Sequence, residues 1–140
     1  MDFIPGMVGD DGVIRGPAGD GRVGAVLRDD LADVVAAVLA DPAAYDGQAF
    51  NVTGPESLSF ADFAETLSRI TGREVAYLEE SVEEAWESRR ANGAPDWMIE
   101  GWVSSYMAVA DGSLDVVTDA VPRIAGHEAT SLDQYLLGQQ

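Results

Sequence analysis

Seven glycines crowd into the first 28 residues, at Gly6, Gly9, Gly12, Gly16, Gly19, Gly21 and Gly24. Glycine lets a backbone turn sharply at little steric cost, so this region reads as turns around short strands at 12–15 and 22–27. From residue 29 the pattern changes. Leu31, Val34, Val35, Val38 and Leu39 recur at helical spacing and define one apolar face. Asp29 or Asp30 is placed to cap that helix, and Pro42 blocks its continuation. A chain that opens on glycine-rich strands and then switches period alternates strands with helices.

The alternation continues. Asp46-Gly47 marks a turn, 48–52 reads as a short buried strand, and Thr53-Gly54-Pro55 ends it. Ser59 caps a helix with Phe60, Phe63, Ala64, Leu67 and Ile70 on its core face and Gly72 as its stop. Residues 74–78 alternate as another strand. Ser81 and Glu84 form a capping box for a helix that ends at Asn92-Gly93. Pro95 opens a long helix on which Met98, Trp102, Tyr106 and Val109 share a face, as far as Gly112. Thr118 or Asp119 caps a short helix closing at Gly126, and Ser131 caps a last turn with Leu132, Tyr135 and Leu136. The expected class is α/β, with few short strands and several helices. About four strands are too few for a complete doubly wound sheet, so the chain reads as the second part of a larger fold.

Composition narrows the function. At 140 residues the chain is expected to form a single domain, 1–140. Asp and Glu total 25 against eight basic residues, all of them Arg, for a net charge of −17. That field repels phosphate backbones and anionic headgroups, so neither nucleic acid nor a membrane surface is expected as a partner. The absence of lysine removes Schiff-base chemistry, a Walker lysine and a Tyr–Lys couple. The absence of cysteine removes disulfides and thiolate sites and suits a cytoplasmic protein. No signal peptide or membrane span is visible. His127 stands alone, which leaves no histidine-rich metal site, so no metal ligand is expected.

Several motifs invite a chemical reading. Gly16-Pro17-Ala18-Gly19-Asp20-Gly21 looks like a phosphate loop, but a dinucleotide fingerprint opens a helix and this one leads into a strand. A hairpin turn is the expected reading. Asp10-Asp11, Asp29-Asp30 and Glu79-Glu80 lack calcium-loop spacing and read as solvated surface or, for Asp29-Asp30, a helix cap. His127 reads as an exposed loop residue. The aromatic set carries more. Trp97, Trp102 and Tyr106 fall within ten residues and cannot all share one narrow helix face. Some of them pack in the core, or else they face a ligand pocket or an interface. The apolar start, with Phe3, Ile4 and Met7, also needs a cover.

The stretches 1–39, 50–80 and 117–136 resemble, in order and spacing, the C-terminal half of NmrA-like proteins, members of the atypical short-chain dehydrogenase/reductase family. Arg28-Asp29-Asp30-Leu31-Ala32 is similar to a helix-opening signature of that family, and Val52-Thr53-Gly54-Pro55-Glu56 to one of its turns. The resemblance implies a partial Rossmann-like fold. It implies NAD(P) as the family cofactor, held by an N-terminal Rossmann half whose glycine-rich loop these residues do not contain. It also places the segment matching Met1-Asp2-Phe3-Ile4-Pro5-Gly6 near a substrate cleft.

The expected function is that of the substrate-binding half of an NAD(P)-dependent oxidoreductase, not redox-competent alone. Phe3, Ile4, Met7, Trp97, Trp102 and Tyr106 are the candidate contacts to a small organic molecule. No catalytic residue is assigned, and no cofactor-binding residue is expected in this chain. Two alternatives stay open. One is a homodimeric or partner-docking module that covers the face a Rossmann half would meet. The other is a non-redox isomerase or cyclase, with Tyr106, Asp29 or His127 as acid–base candidates.

Overall fold

The computed structural model describes residues 1–139 and is α/β, with four short strands and six α-helices among them. It divides into two compact units. One comprises Met1–Asp2, Gly24–Ser57 and Val116–Gln140, and the other Phe3–Val23 and Leu58–Asp115.

The second unit holds all the sheet. Strand β1 (Val13–Gly16) pairs in parallel with β4 (Ala76–Glu79), while β2 (Arg22–Val23) pairs antiparallel with β3 (Leu58–Ser59). The glycine-rich loop after β1 is therefore not a hairpin turn, because β1 and β2 belong to different sheets. Helix α2 (Phe60–Thr71) begins at a capping box: Ser59 Oγ accepts from Asp62 N, and Asp62 accepts from Ser59 N. It ends at Gly72 in the left-handed region. Phe60, Phe63, Ala64 and Leu67 are buried as a single stripe. Helix α3 (Val82–Ala91) opens at the box between Ser81 and Glu84. Pro95 precedes α4 (Asp96–Ala110). Ile99 and Val103 of α4 pack on Ala85 of α3.

The core face of α4 matches the expected one only at Val109. Ile99, Val103 and Val109 are buried, whereas Trp102 is 44% and Trp97 72% exposed. Apolar residues lie on several sides of α4, so spacing alone selects no single stripe. Gly21 is fixed by this helix, since a Cβ there would lie 2.1 Å from the Val109 carbonyl oxygen.

The first unit centres on α1 (Arg28–Ala40) and α5 (Ala120–Ala125), where Val34 meets Ala120, Val121, Ile124 and Ala129. Helix α6 (Leu132–Leu137) follows, capped by Ser131 and Gln134. Two expectations fail here. Among the described residues 48–52 forms no strand, although just beyond it Gly54 N–H donates to the Gly24 carbonyl. Neither Asp29 nor Asp30 caps α1, whose N-cap is Leu27. Asp30 is instead buried and accepts from Thr130, from its N–H at 2.7 Å and its hydroxyl at 3.0 Å.

Candidate functional site

In an open α/β sheet, ligands bind beyond the carboxyl ends of parallel strands. Here those ends are Gly16 of β1 and Glu79 of β4, which lie opposite each other. The side chains gathered there come from four elements. Tyr77, from β4, donates its hydroxyl proton to the Gly16 carbonyl at 2.8 Å and accepts from Ala18 N at 3.2 Å. This pins the first turn of the glycine-rich loop. Phe60, at the start of α2, stacks at an angle on Tyr77 (5.6 Å between centroids) and on Tyr106 of α4 (5.2 Å). Gly16 lies against the Tyr106 ring, where a Cβ would come 2.7 Å from Cε1. The ring thus fills the space a side chain at position 16 would need.

Arg89 ties the cluster together. Its Nη1 donates to Glu80 Oε2 at 2.8 Å, to the Ala85 carbonyl and to Ser88 Oγ, and its Nη2 donates to the Arg15 carbonyl at 3.1 Å. Glu80 also accepts from Ser88 Oγ. Both ion-pair partners are largely buried, so each would be costly to leave unpaired. The guanidinium also lies 5.6 Å from the Tyr106 ring centroid, a cation–π distance. Burial pushes the Tyr106 phenol above its ordinary value, opposed by the Arg89 charge beside it. Tyr77 is likewise raised, mainly by burial. Both are neutral phenols at physiological pH. The arrangement presents a phenol and a fixed guanidinium at a strand end, which suits it to hold an oxygen acceptor of a bound molecule.

The sequence-predicted contacts separate on inspection. Ile4 is buried and Met7 half-buried, while Phe3 is 66% exposed. Tyr106 sits inside the cluster described above. Trp102 lines an open groove of about 410 Å³ at the bend between α3 and α4, with Arg89, Asn92, Gly93, Ala94, Pro95 and Met98. Trp97 projects outward and is not among the residues of that groove. The acid–base candidates Asp29 and His127 belong to the other unit. There His127 Nε2 lies 3.2 Å from Asp33 Oδ2, and Nδ1 lies 2.9 Å from the Glu128 carbonyl. Sequence reading missed Tyr77, Glu80 and Arg89. In the sequence Glu80 reads only as part of the solvated pair Glu79-Glu80. The available signal was positional: an acidic residue directly after a strand, an Arg nine residues on, and a tyrosine inside the strand.

These residues do not fit the pyrophosphate of a dinucleotide. That group seeks a helix N-terminus free of negative charge. The glycine-rich loop leads into β2 and opens no helix. Among the described residues, carboxylates stand in the first turn or at the N-cap of every α-helix: Asp29 and Asp30, Asp62, Glu83 and Glu84, Asp96, Asp119, and Asp133. Among the described residues no group of His, Asp or Glu is arranged to hold a metal ion. No helix among them is long and apolar enough to cross a membrane.

No family model matches the sequence. The chain is 31% identical over 119 residues to the NAD(P)H azoreductase of Xenophilus azovorans, an alignment covering 85% of this chain and 41% of that protein. It superposes with a TM-score of 0.88 on the NADPH-dependent quinone oxidoreductase of Escherichia coli solved with NADPH, at 23% identity, over 99% of this chain and 48% of the other. It superposes with a TM-score of 0.80 on the triphenylmethane reductase of Citrobacter sp., at 25% identity, over 97% of this chain and 46% of the other. These similar proteins are NAD(P)H-dependent or dye-reducing oxidoreductases, and the chain shares part of their Rossmann-like fold. It spans less than half the length of the curated relatives it matches, 41% of the azoreductase and 42% of the E. coli quinone oxidoreductase.

Proposed function

We propose that these residues are the carboxyl-terminal, substrate-side half of an NmrA-like, atypical short-chain dehydrogenase/reductase, acting as one domain that binds a small organic molecule. The observation that carries this reading is the azoreductase alignment, which covers 85% of this chain but 41% of its relative. In such an enzyme the dinucleotide supplies the hydride, and in this reading it is held outside these residues. The carboxylates at the helix N-termini support that division.

The chain's own part is to bind and orient. Tyr106 and Arg89 hold an oxygen or nitrogen acceptor of the substrate at the strand ends, and Trp102 offers an indole face nearby. The substrate-side reading is tested by mixing the purified chain with NADPH and an azo dye. The expected result is dye binding without NADPH oxidation, and about tenfold weaker binding for Tyr106→Ala. Retention of one NADPH per chain, seen by native mass spectrometry, would overturn it.

A second reading has an observation in its favour. Leu31, Val35 and Leu39 form an exposed apolar strip on α1, the kind of surface that homodimers or partner chains cover. The same mass spectra decide this reading, which requires a dimer that Leu39→Asp dissociates. We propose a cytoplasmic location on composition alone, since a chain without cysteine suits a reducing compartment.

A further inference from the structure

The bend between α3 and α4 holds a feature of the second unit that the strand-end cluster does not explain. Its groove is lined by Ala94 and Pro95 of the turn, by Met98 and Trp102 of α4, and by the polar Asn92 and Arg89. Local chemistry builds it. Helix α3 stops at Asn92, and Gly93 adopts φ +82, a left-handed turn that Asn-Gly supplies at little cost. Pro95 then starts α4 in a new direction. Ile99 and Val103 fasten α4 to α3 from beneath, which leaves Met98 and Trp102 on the groove side.

The charge of the groove is as distinctive as its shape. Arg89 is its only ionisable lining residue, and the buried Glu80 already neutralises it. An anion gains no net attraction here and meets the field of a chain of charge −17. A cation gains nothing from that paired guanidinium either. The Asn92 carboxamide makes no hydrogen bond among the described residues and can donate to an acceptor. The indole of Trp102 is held on the helix with its face partly open.

We infer that this groove binds an uncharged, flat aromatic ring carrying a hydrogen-bond acceptor, the ring stacked on Trp102 and the acceptor facing Asn92 and Arg89. The inference rests on the substrate-side reading for what the ligand is for, and on the groove alone for its chemistry. Three naphthalene probes separate the possibilities: 2-acetylnaphthalene, which is neutral with an acceptor; 2-naphthoate, which is anionic; and 2-ethylnaphthalene, which has no acceptor.

The test is titration of the isotope-labelled full chain, followed by amide NMR shifts. Expected are saturable shifts at Asn92–Trp102 with 2-acetylnaphthalene and binding about tenfold weaker for each of the other two probes. Trp102→Ala and Asn92→Ala each weaken 2-acetylnaphthalene binding, and Leu137→Ala, on an exposed face of α6, leaves it unchanged. Asn92 is exposed and Trp102 is 44% exposed, and a far-UV circular dichroism spectrum of each variant checks that it folds. Equal binding of the three probes overturns the inference, as does binding that survives Trp102→Ala. Shifts confined to Gly16 and Tyr106 overturn the groove but keep the substrate-side reading. Retention of NADPH by the chain alone overturns that reading and not the groove.

Discussion

Helices α1 and α2 carry similar apolar spacing, yet they are held in place by different means. Helix α2 is secured by its neighbours in sequence. Ser59 and Asp62 close its first turn, Gly72 ends it, and its apolar stripe is buried. Helix α1 has no side-chain cap, and most of its apparent core face is outside: Leu31, Val35 and Leu39 are exposed while Val34 is buried. Its anchor is Asp30, whose partner Thr130 lies 100 residues away, reinforced by Asp33 with His127. Apolar spacing thus identifies a helix but not which part of its apolar surface becomes the seam, because that depends on how wide the partner is.

The contrast can be broken by substitution. Phe63 is 2% exposed, so Phe63→Ala is expected to cost about 3–5 kcal/mol in urea unfolding. Asp30→Ala should come next, at about 2–3 kcal/mol, because it strands the Thr130 N–H and hydroxyl that the carboxylate satisfies. If it costs no more than a surface substitution, α1 is not anchored by this long-range contact. Ser59→Ala, which opens the local cap of α2, should cost about 1 kcal/mol. Leu39→Ala, at a residue 71% exposed, should stay within about 0.5 kcal/mol in the monomer. A large loss there would mean that the strip is covered in solution.

The His127 contact sharpens the comparison through pH. The hydrogen bond to the Glu128 carbonyl, then Asp33 and the nearby carboxylates, raise the His127 pKa above its ordinary 6.5. A raised value means that the folded state holds the proton more tightly. The added stability is complete below the unfolded value and is lost as pH rises through the folded one. Thermal melts of the parent chain and His127→Asn should therefore differ in mild acid and converge in alkali. Curves that stay parallel across the range would show that the contact does not titrate with folding.

The binding site depends on the same divide between local and distant partners. Tyr106 was visible as one of three clustered aromatics, and the structure puts it among Phe60, Gly16 and Arg89. Arg89 and Glu80 were not visible as a pair, because nothing in a string of acidic residues and arginines says which two will be buried together. Trp97 and Trp102 look alike in the sequence, five residues apart. Only the docking of α4 through Ile99 and Val103 turns Trp102 to the groove and Trp97 to solvent.

The sequence alone determined the α/β class, the caps at Ser59, Ser81 and Ser131, and the helix stops at Gly72 and Gly126, along with the exclusion of lysine and thiol chemistry. All of these depend on residues within one turn of each other, or on composition. Tertiary structure decided that 48–52 forms no strand, that the glycine-rich loop joins two sheets, and that Asp30 serves Thr130 rather than its own helix. Each of those outcomes needs a partner far along the chain. Its position follows from packing the whole unit and leaves no periodic trace near the residue it holds.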